Sequence, residues 1–275
     1  MCRVLGVSRS GYYDWINRLD QPPPRRVTRD EALIEQIRSV HASFAYYGSP
    51  RVHRELLKRE QRAGRHHVAR LMRVHGIRAR RGRIKSKGRS VLPTRRADVT
   101  DQVKRKFRAE HPNRLWFTDL TMIRTGQGWL RAAVVLDAFN REVISWAVAD
   151  HETPSTAMNA LREAIAIRRP AAGCVIHSDR GYQYTSHDWL ALACDNGLVA
   201  SIGERKSALD NAAMESWFAS LKNESIYPAG EPPTRAAARM LLFRYIHVYN
   251  TIRMHSTLGY LSPIEYAKLN QQLSV

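Results

Sequence analysis

The chain has 275 residues, enough for one large or two modest domains with cores of their own, and a formal charge of +19 that sets it apart from an ordinary neutral enzyme. The charge is concentrated: residues 1–110 hold 28 Lys and Arg against 10 Asp and Glu, a balance of +18, whereas residues 111–275 hold 16 against 15, a balance of +1. The basic half calls for a polyanion, with double-stranded DNA first, while an anionic membrane fits poorly because the sequence lacks both a long apolar span and a basic amphipathic terminus.

In chain order, residues 4–18 form a short amphipathic stretch broken by Gly6 and Gly11 and stopped by Pro22, Pro23 and Pro24. This gives a helical remnant over 1–24. Thr28 then offers an N-cap with Glu31 three residues on, and Leu33, Ile34, Ile37, Val40 and His41 follow at helical spacing. A second helix opens with Ser49 as cap and Pro50 in its first turn, runs through Val52, Leu56 and Leu57, and breaks at Gly64. The third starts near Arg65 and ends at Gly76; Val68, Leu71, Met72 and Val74 share one side, and Arg65, His66, His67, Arg70 and Arg73 share the other. Three short helices with a basic last one describe a helix-turn-helix DNA-binding domain over 25–77, with Arg65, His66, Arg70 and Arg73 turned outward to a groove. The bland alternative is a small bundle with a solvated basic face.

Residues 78–96 carry nine Lys or Arg and no acid, interrupted by Gly82, Gly88 and Pro93. That composition cannot bury a core, so 78–110 reads as a linker whose Arg81, Arg83, Lys85 and Lys87 neutralise phosphates. From Asn113 the texture becomes apolar, with strands at 114–123, 129–138 and 142–149 joined by the turns at Gly126-Gln127-Gly128 and Asn140-Arg141. A helix capped by Thr153 covers 154–169, a strand 174–176, a helix 186–196, a strand 198–202 and a helix 210–224. The order β-β-β-α-β-α-β-α predicts an α/β, ribonuclease-H-like catalytic domain over 111–226, a mixed five-stranded sheet with helices, preceded by the all-α domain. Residues 227–275 form a helical extension. Cys2, Cys174 and Cys194 are too few and scattered for a disulfide framework or zinc knuckle, and the N-terminus has no signal-peptide core, so a cytoplasmic, nucleoid-associated protein with reduced thiols is expected.

Three acids stand in apolar settings: Asp119 in Trp116-Phe117-Thr118-Asp119, Asp179 in His177-Ser178-Asp179-Arg180-Gly181, and Glu215 in Asp210-Asn211-Ala212-Ala213-Met214-Glu215. In the predicted order Asp119 lies on the first and central strand, Asp179 just past the fourth strand, and Glu215 on the last helix, facing the sheet. Three acids brought together repel one another unless divalent cations hold them, and an all-oxygen set selects Mg²⁺ or Mn²⁺, two ions suiting phosphoryl transfer. Any one such Asp, taken alone, is more often a turn or cap residue. Asp137 competes from an apolar strand, with Arg141 as its expected ion-pair partner, and reads as structural. His177 reads as a satisfied histidine supporting Asp179.

These segments, together with Tyr182-Gln183-Tyr184-Thr185-Ser186, Leu221-Lys222-Asn223-Glu224, the run Tyr249 to Tyr260, Tyr46-Tyr47-Gly48 and His67-Val68-Ala69-Arg70-Leu71-Met72, resemble the IS-three family of insertion-sequence transposases, within the DDE transposase and retroviral integrase superfamily. The likeness spans nearly the whole chain. It implies Asp119, Asp179 and Glu215 as catalytic and metal-binding residues, and a DNA contact near the cut for Lys222, two helical turns beyond Glu215. Tyr249, Asn250, Arg253 and His255 match the family's C-terminal signature without a chemical role of their own. Lys206-Ser207-Ala208-Leu209 departs from the polar run usual before Asp-Asn-Ala. The resemblance further implies an OrfB-type, second-frame product acting as a homo-oligomer on transposon ends and target, with an upstream-frame partner or fusion. Two rivals remain: a catalytically dead DNA-binding regulator, and a nuclease on the same fold that cleaves without joining.

Overall fold

The computed structural model describes residues 2, 4, 6–19, 25–80, 99–151, 153–203 and 211–272, and the chain divides into two compact units, Met1–Arg80 and Arg81–Val275.

The first unit is helical: α1 (Arg9–Leu19), α2 (Arg25–Ser43), α3 (Ser49–Lys58) and α4 (Arg65–Val74). Its core takes the residues that the helical spacing nominated, Leu33, Ile34, Ile37 and Val40 from α2, Val52 and Leu56 from α3, and Val68, Leu71 and Met72 from α4. Two starts differ from expectation. The Thr28 hydroxyl donates to the Arg25 carbonyl at 3.1 Å instead of capping, because Arg25 and Arg26 are good helix formers and extend α2 by nearly a turn. Gly48, not Ser49, is the N-cap of α3, with Pro50 in the first turn.

The second unit is built on a five-stranded sheet in the order β3-β2-β1-β4-β5, with β1 (Leu115–Thr125), β2 (Gly128–Asp137), β3 (Val143–Ala149), β4 (Val175–Ser178) and β5 (Val199–Ile202). The first three strands pair antiparallel, and β4 and β5 join in parallel. Helices α5 (Pro154–Arg168) and α6 (His187–Asp195) cover one face, and α7 (Ala212–Leu221) and α9 (Arg235–Thr251) the other; a π-turn (Lys222–Ile226) and the short α8 (Tyr227–Ala229) link these two, and α10 (Pro263–Gln272) ends the chain. Side chains alternate between faces along a strand. Trp116, Ala133 and Val135 therefore pack with Ala160, Leu161 and Trp189, while Phe117, Val134 and Leu136 pack with Met214, Trp217, Phe218 and Leu242. Cover on both faces explains why β1 and β2 read as nearly unbroken apolar runs.

The C-terminal helices belong to this core. The Asn250 carboxamide accepts from the Val143 N–H at 3.0 Å and donates to the Val143 carbonyl at 2.9 Å, occupying both backbone groups of a residue on edge strand β3. Asp137 is structural, but Arg141 is not its ion-pair partner. Its two carboxylate oxygens accept from the Asn113 and Phe139 N–H groups at 2.9 Å each, and burial pushes the carboxyl above the usual range. Arg141 closes the turn through its backbone N–H to the Asp137 carbonyl with φ at 63°, and its guanidinium donates to the Phe107 carbonyl instead. In a turn this tight the backbone groups reach the carboxylate first.

Candidate active site and nucleic-acid interface

Asp119 lies on central strand β1, 1 % exposed, with Oδ1 accepting from the Leu120 N–H at 2.7 Å. It is opposite Val134, on the face of Phe117 that α7 covers. The parallel pairing of β1 with β4 runs Leu115 to Val175, Trp116 to Ile176 and Phe117 to His177. Asp179 is the first residue past β4, two beyond His177, as Asp119 is two beyond Phe117 on β1. The turn that carries Asp179 is pinned at three points. Asp179 Oδ1 accepts from the Gly181 N–H at 2.9 Å, Arg180 Nε donates to the Gly203 carbonyl at 2.8 Å, and a Cβ at Gly181 would collide with the Gln183 side chain.

Just before α7, the Asn211 side chain donates to the Thr118 carbonyl at 3.5 Å, so the helix starts beside Asp119's neighbour on β1. Glu215, however, does not face the sheet. The residues of α7 that do are Ala213, Met214, Trp217, Phe218 and Leu221, and Glu215 is exposed on the flank. A carboxylate inside that apolar stripe would be desolvated without compensation, so the helix buries the stripe and leaves the acid in water. Among the described residues no three His, Cys, Asp or Glu side chains lie close enough together to hold a metal ion. Asp119 thus lies on β1, Asp179 just past the end of the neighbouring parallel strand β4, and Glu215 on the exposed side of α7.

Lys222 caps α7 with helical backbone angles (φ −65°, ψ −44°). Seven residues at about 100° each return it to the Glu215 side of the helix. The segment Lys206-Ser207-Ala208-Leu209 lies outside the described residues.

His177, fully buried, has Nδ1 at 2.9 Å from Ser201 Oγ and 3.8 Å from Asp101, and its ring meets Phe117 edge to face. It ties β4 to β5 and to the segment entering the unit.

The C-terminal signature has a role that sequence reasoning missed. Arg253 Nε and Nη2 each donate to a Glu224 oxygen at 2.6 Å, Nη1 lies 3.3 Å from the His255 ring, and the guanidinium sits 5.5 Å from the Tyr249 ring centroid. Burial alone would lower the Arg253 pKa, but the Glu224 hydrogen bonds reverse this and hold it charged.

In the first unit, a cleft of about 640 Å³ is lined by Arg25, Arg26, Arg29, Asp30, His66, His67 and Arg70. Arg65, His66 and Arg73 are exposed as expected. Arg70 is not directed freely outward: its Nη2 lies 2.7 Å from Asp30 Oδ2, and His67 Nε2 lies 2.7 Å from Asp30 Oδ1. The hydrogen bond from Arg70, and secondarily His67, holds the Asp30 carboxyl below its ordinary range. Asp30 projects from α2 toward α4, so a sequence reading of α4 by itself overlooks it. Arg25, Arg26 and Arg29 were likewise missed as part of the cationic face. Arg81, Arg83, Lys85 and Lys87 lie outside the described residues.

Comparison with known proteins agrees with this layout. Models of the integrase core domain match residues 109–208 and 196–263, and a model of an HTH-like domain matches residues 28–85. The chain is 35 % identical over 278 residues to transposase InsF for insertion sequence IS3A of Escherichia coli (strain K12), covering 98 % of this chain and 93 % of that protein. It is 34 % identical over 281 residues to the uncharacterized 31 kDa protein of insertion element IS600 of Shigella sonnei, covering 100 % of both. Among solved structures, a chain of the simian T-cell lymphotropic virus intasome in complex with PP2A regulatory subunit B56 gamma shares the fold with a TM-score of 0.50 at 16 % identity, over 83 % of this chain and 73 % of that one. No helix among the described residues is long and apolar enough to cross a membrane.

Proposed function

The chain belongs to the IS3 family of DDE-type transposases, and from that premise we propose that it binds the ends of its insertion sequence and cleaves and joins DNA strands by direct in-line attack of water or a 3′-hydroxyl on a phosphodiester. The observation that supports this reading is the parallel pairing of β1 with β4, since Asp119 lies on β1 and Asp179 just past the end of β4, where open α/β sheets bind their ligands. Asp119, Asp179 and Glu215 form the catalytic set. An all-carboxylate set fits a hard cation, so these three residues would hold Mg²⁺ or Mn²⁺, two ions in the full site, and Glu215 reaches the pair from its exposed flank of α7. When bound, they would supply Lewis-acid activation of the attacking oxygen and charge stabilisation of the leaving one. Lys222, on Glu215's side of α7, holds a phosphate near the cut, and His177 keeps β4, and with it the Asp179 turn, against β5.

The basic first unit supplies end recognition through Arg65, His66 and Arg73. Arg70 contributes charge from its place beside Asp30, and the Arg81 to Lys87 segment contributes phosphate neutralisation. The partners are double-stranded DNA and further copies of the chain, with an upstream-frame protein as a third, and the setting is the cytoplasm. The test is incubation of the chain with the DNA flanking its own gene and Mg²⁺, with strand products followed on a gel. Specific nicking at the ends followed by joined products is expected.

The second reading is a DNA-binding regulator without catalytic activity. It is favoured by the exposure of Glu215 on α7, outside the stripe that packs on the sheet. Binding to the ends with no strand product at any divalent metal concentration would establish it.

A further inference from the structure

Ser178 pairs with Ile202 at the end of the parallel β4–β5 ladder, and the Gly203 N–H closes that ladder on the Ser178 carbonyl at 3.1 Å. Past Ser178 the backbone turns away from β5, and the Arg180 side chain reaches across in its place. Its Nε donates to the Gly203 carbonyl at 2.8 Å, so both backbone groups of Gly203 are held by the residues on either side of Asp179. Gly203 is buried, and a buried carbonyl needs a donor.

The other bonds around Asp179 are internal to its turn. Asp179 Oδ1 accepts from the Gly181 N–H at 2.9 Å, and the Gly181 carbonyl accepts from the Tyr184 N–H at 3.0 Å. These bonds shape the turn, whereas the bond from Arg180 ties it to β5. From Gly203 the chain runs on to Asn211 and α7, so the residue that Arg180 grips also begins the connection to Glu215. A neutral carbonyl asks an arginine for the direction of one N–H and not for its charge.

We propose that Arg180 is a positioning residue for the metal site: its bond to Gly203, and not its charge, fixes the half-buried Asp179 carboxylate against β5 so that it can hold a divalent cation. The inference rests on the metal-binding part of the proposed function. It acts through Asp179, and Arg180 itself touches neither metal nor substrate.

The experiment titrates the full chain with Mn²⁺ alone, without DNA, and follows the free ion by electron paramagnetic resonance; the ion held at the site is the part lost in Asp179→Asn. Two variants separate bond from charge. In Arg180→Gln the side-chain Nε2 stands the same number of bonds from Cα as the arginine Nε, so the donor is kept and the charge removed, while Arg180→Met matches the length with neither. Arg180→Gln should hold Mn²⁺ with close to wild-type affinity. Arg180→Met should lose about tenfold, the low end of what removing a supporting hydrogen bond costs a metal site, while its thermal midpoint in EDTA stays with that of the wild type. Equal affinity in all three proteins overturns the inference, and equal loss in both variants overturns it in favour of a role for the charge. If Arg180→Met does not fold, Arg180→Lys replaces it: the charge is kept, the donor moves one bond further out, and affinity should fall below that of Arg180→Gln. Parity of those two, or the reverse order, overturns the inference. A wild-type chain that binds no Mn²⁺ at the aspartates overturns it together with the catalytic reading, whereas Mn²⁺ binding with the expected order of variants but no strand products leaves it standing while that reading falls.

Discussion

Arg253 grips Glu224 with two hydrogen bonds of 2.6 Å across twenty-nine residues of sequence, both side chains nearly out of water at 5 % and 9 % exposure. The pair joins the segment after α9 to the π-turn that follows α7, so the helix carrying Glu215 is fastened at its far end by the C-terminal signature.

Removing one member of a buried pair leaves the other charge uncompensated, so Arg253→Ala or Glu224→Ala should each destabilise the protein by about 3–5 kcal/mol. Replacing both with apolar residues, Arg253→Met with Glu224→Leu, should recover most of the loss. Chemical denaturation of the three variants checks this. Single variants within 1 kcal/mol of wild type would show the pair to be energetically idle.

Asp119→Asn, Asp179→Asn and Glu215→Gln should each abolish cleavage and joining while leaving circular dichroism and duplex binding intact. Each change removes a negative charge without altering side-chain shape. Wild-type turnover in any one of them removes that residue from the site.

Asp30 contributes stability through its pairing with Arg70 and His67, and the sign follows from its lowered pKa. The contribution is complete above the unfolded carboxylate value of roughly 3.9 and is lost as pH falls through the lower folded value. Asp30→Asn should flatten that acid limb in a melt of the full chain. It should also strengthen duplex binding, since it removes an acid from the lining of a cationic cleft, whereas Arg70→Ala should weaken it. Anisotropy titrations at a single salt concentration separate the two. Weaker binding by Asp30→Asn would mean that the acid positions Arg70 for DNA and does not merely offset its charge.

Burial pushes the Cys174 thiol up to about 12, so it stays protonated, and unreactive, through the neutral range. Iodoacetamide at pH 8 should therefore modify exposed Cys194 in the native protein and reach Cys174 only on unfolding. Peptide mass analysis before and after denaturant reads this out, and early alkylation of Cys174 would reveal an opening of the face that α5 and α6 cover.

The five strands and their order were legible because both faces of the sheet are covered, which turns β1 and β2 into apolar runs bounded by Gly126 and Asn140. Asp119 and Asp179 were legible for the same reason, as lone charges at the ends of such runs. Glu215 was placed on the right helix but on the wrong side of it. Its neighbours Met214, Trp217 and Phe218 define a stripe that excludes it, a distinction that depends on the helix's rotation about its axis and not on its existence. Arg253 and Asn250 were illegible because their partners lie 29 and 107 residues away, beyond any local pattern. The same holds for Arg70, whose carboxylate partner is 40 residues upstream on another helix.

The π-turn at Lys222–Ile226 fits one more residue into a turn than an α-helix does. Everything downstream is thereby rotated relative to α7, and Glu224 points where Arg253 can reach it. The two ends of this stretch are therefore geared: deleting one residue within it would restore α-helical winding, swing Glu224 by about 100° and unhook the C-terminal segment while leaving Glu215 where it stands on α7. Chain length between the acid and its anchor is thus a parameter as tightly constrained as the identity of either residue.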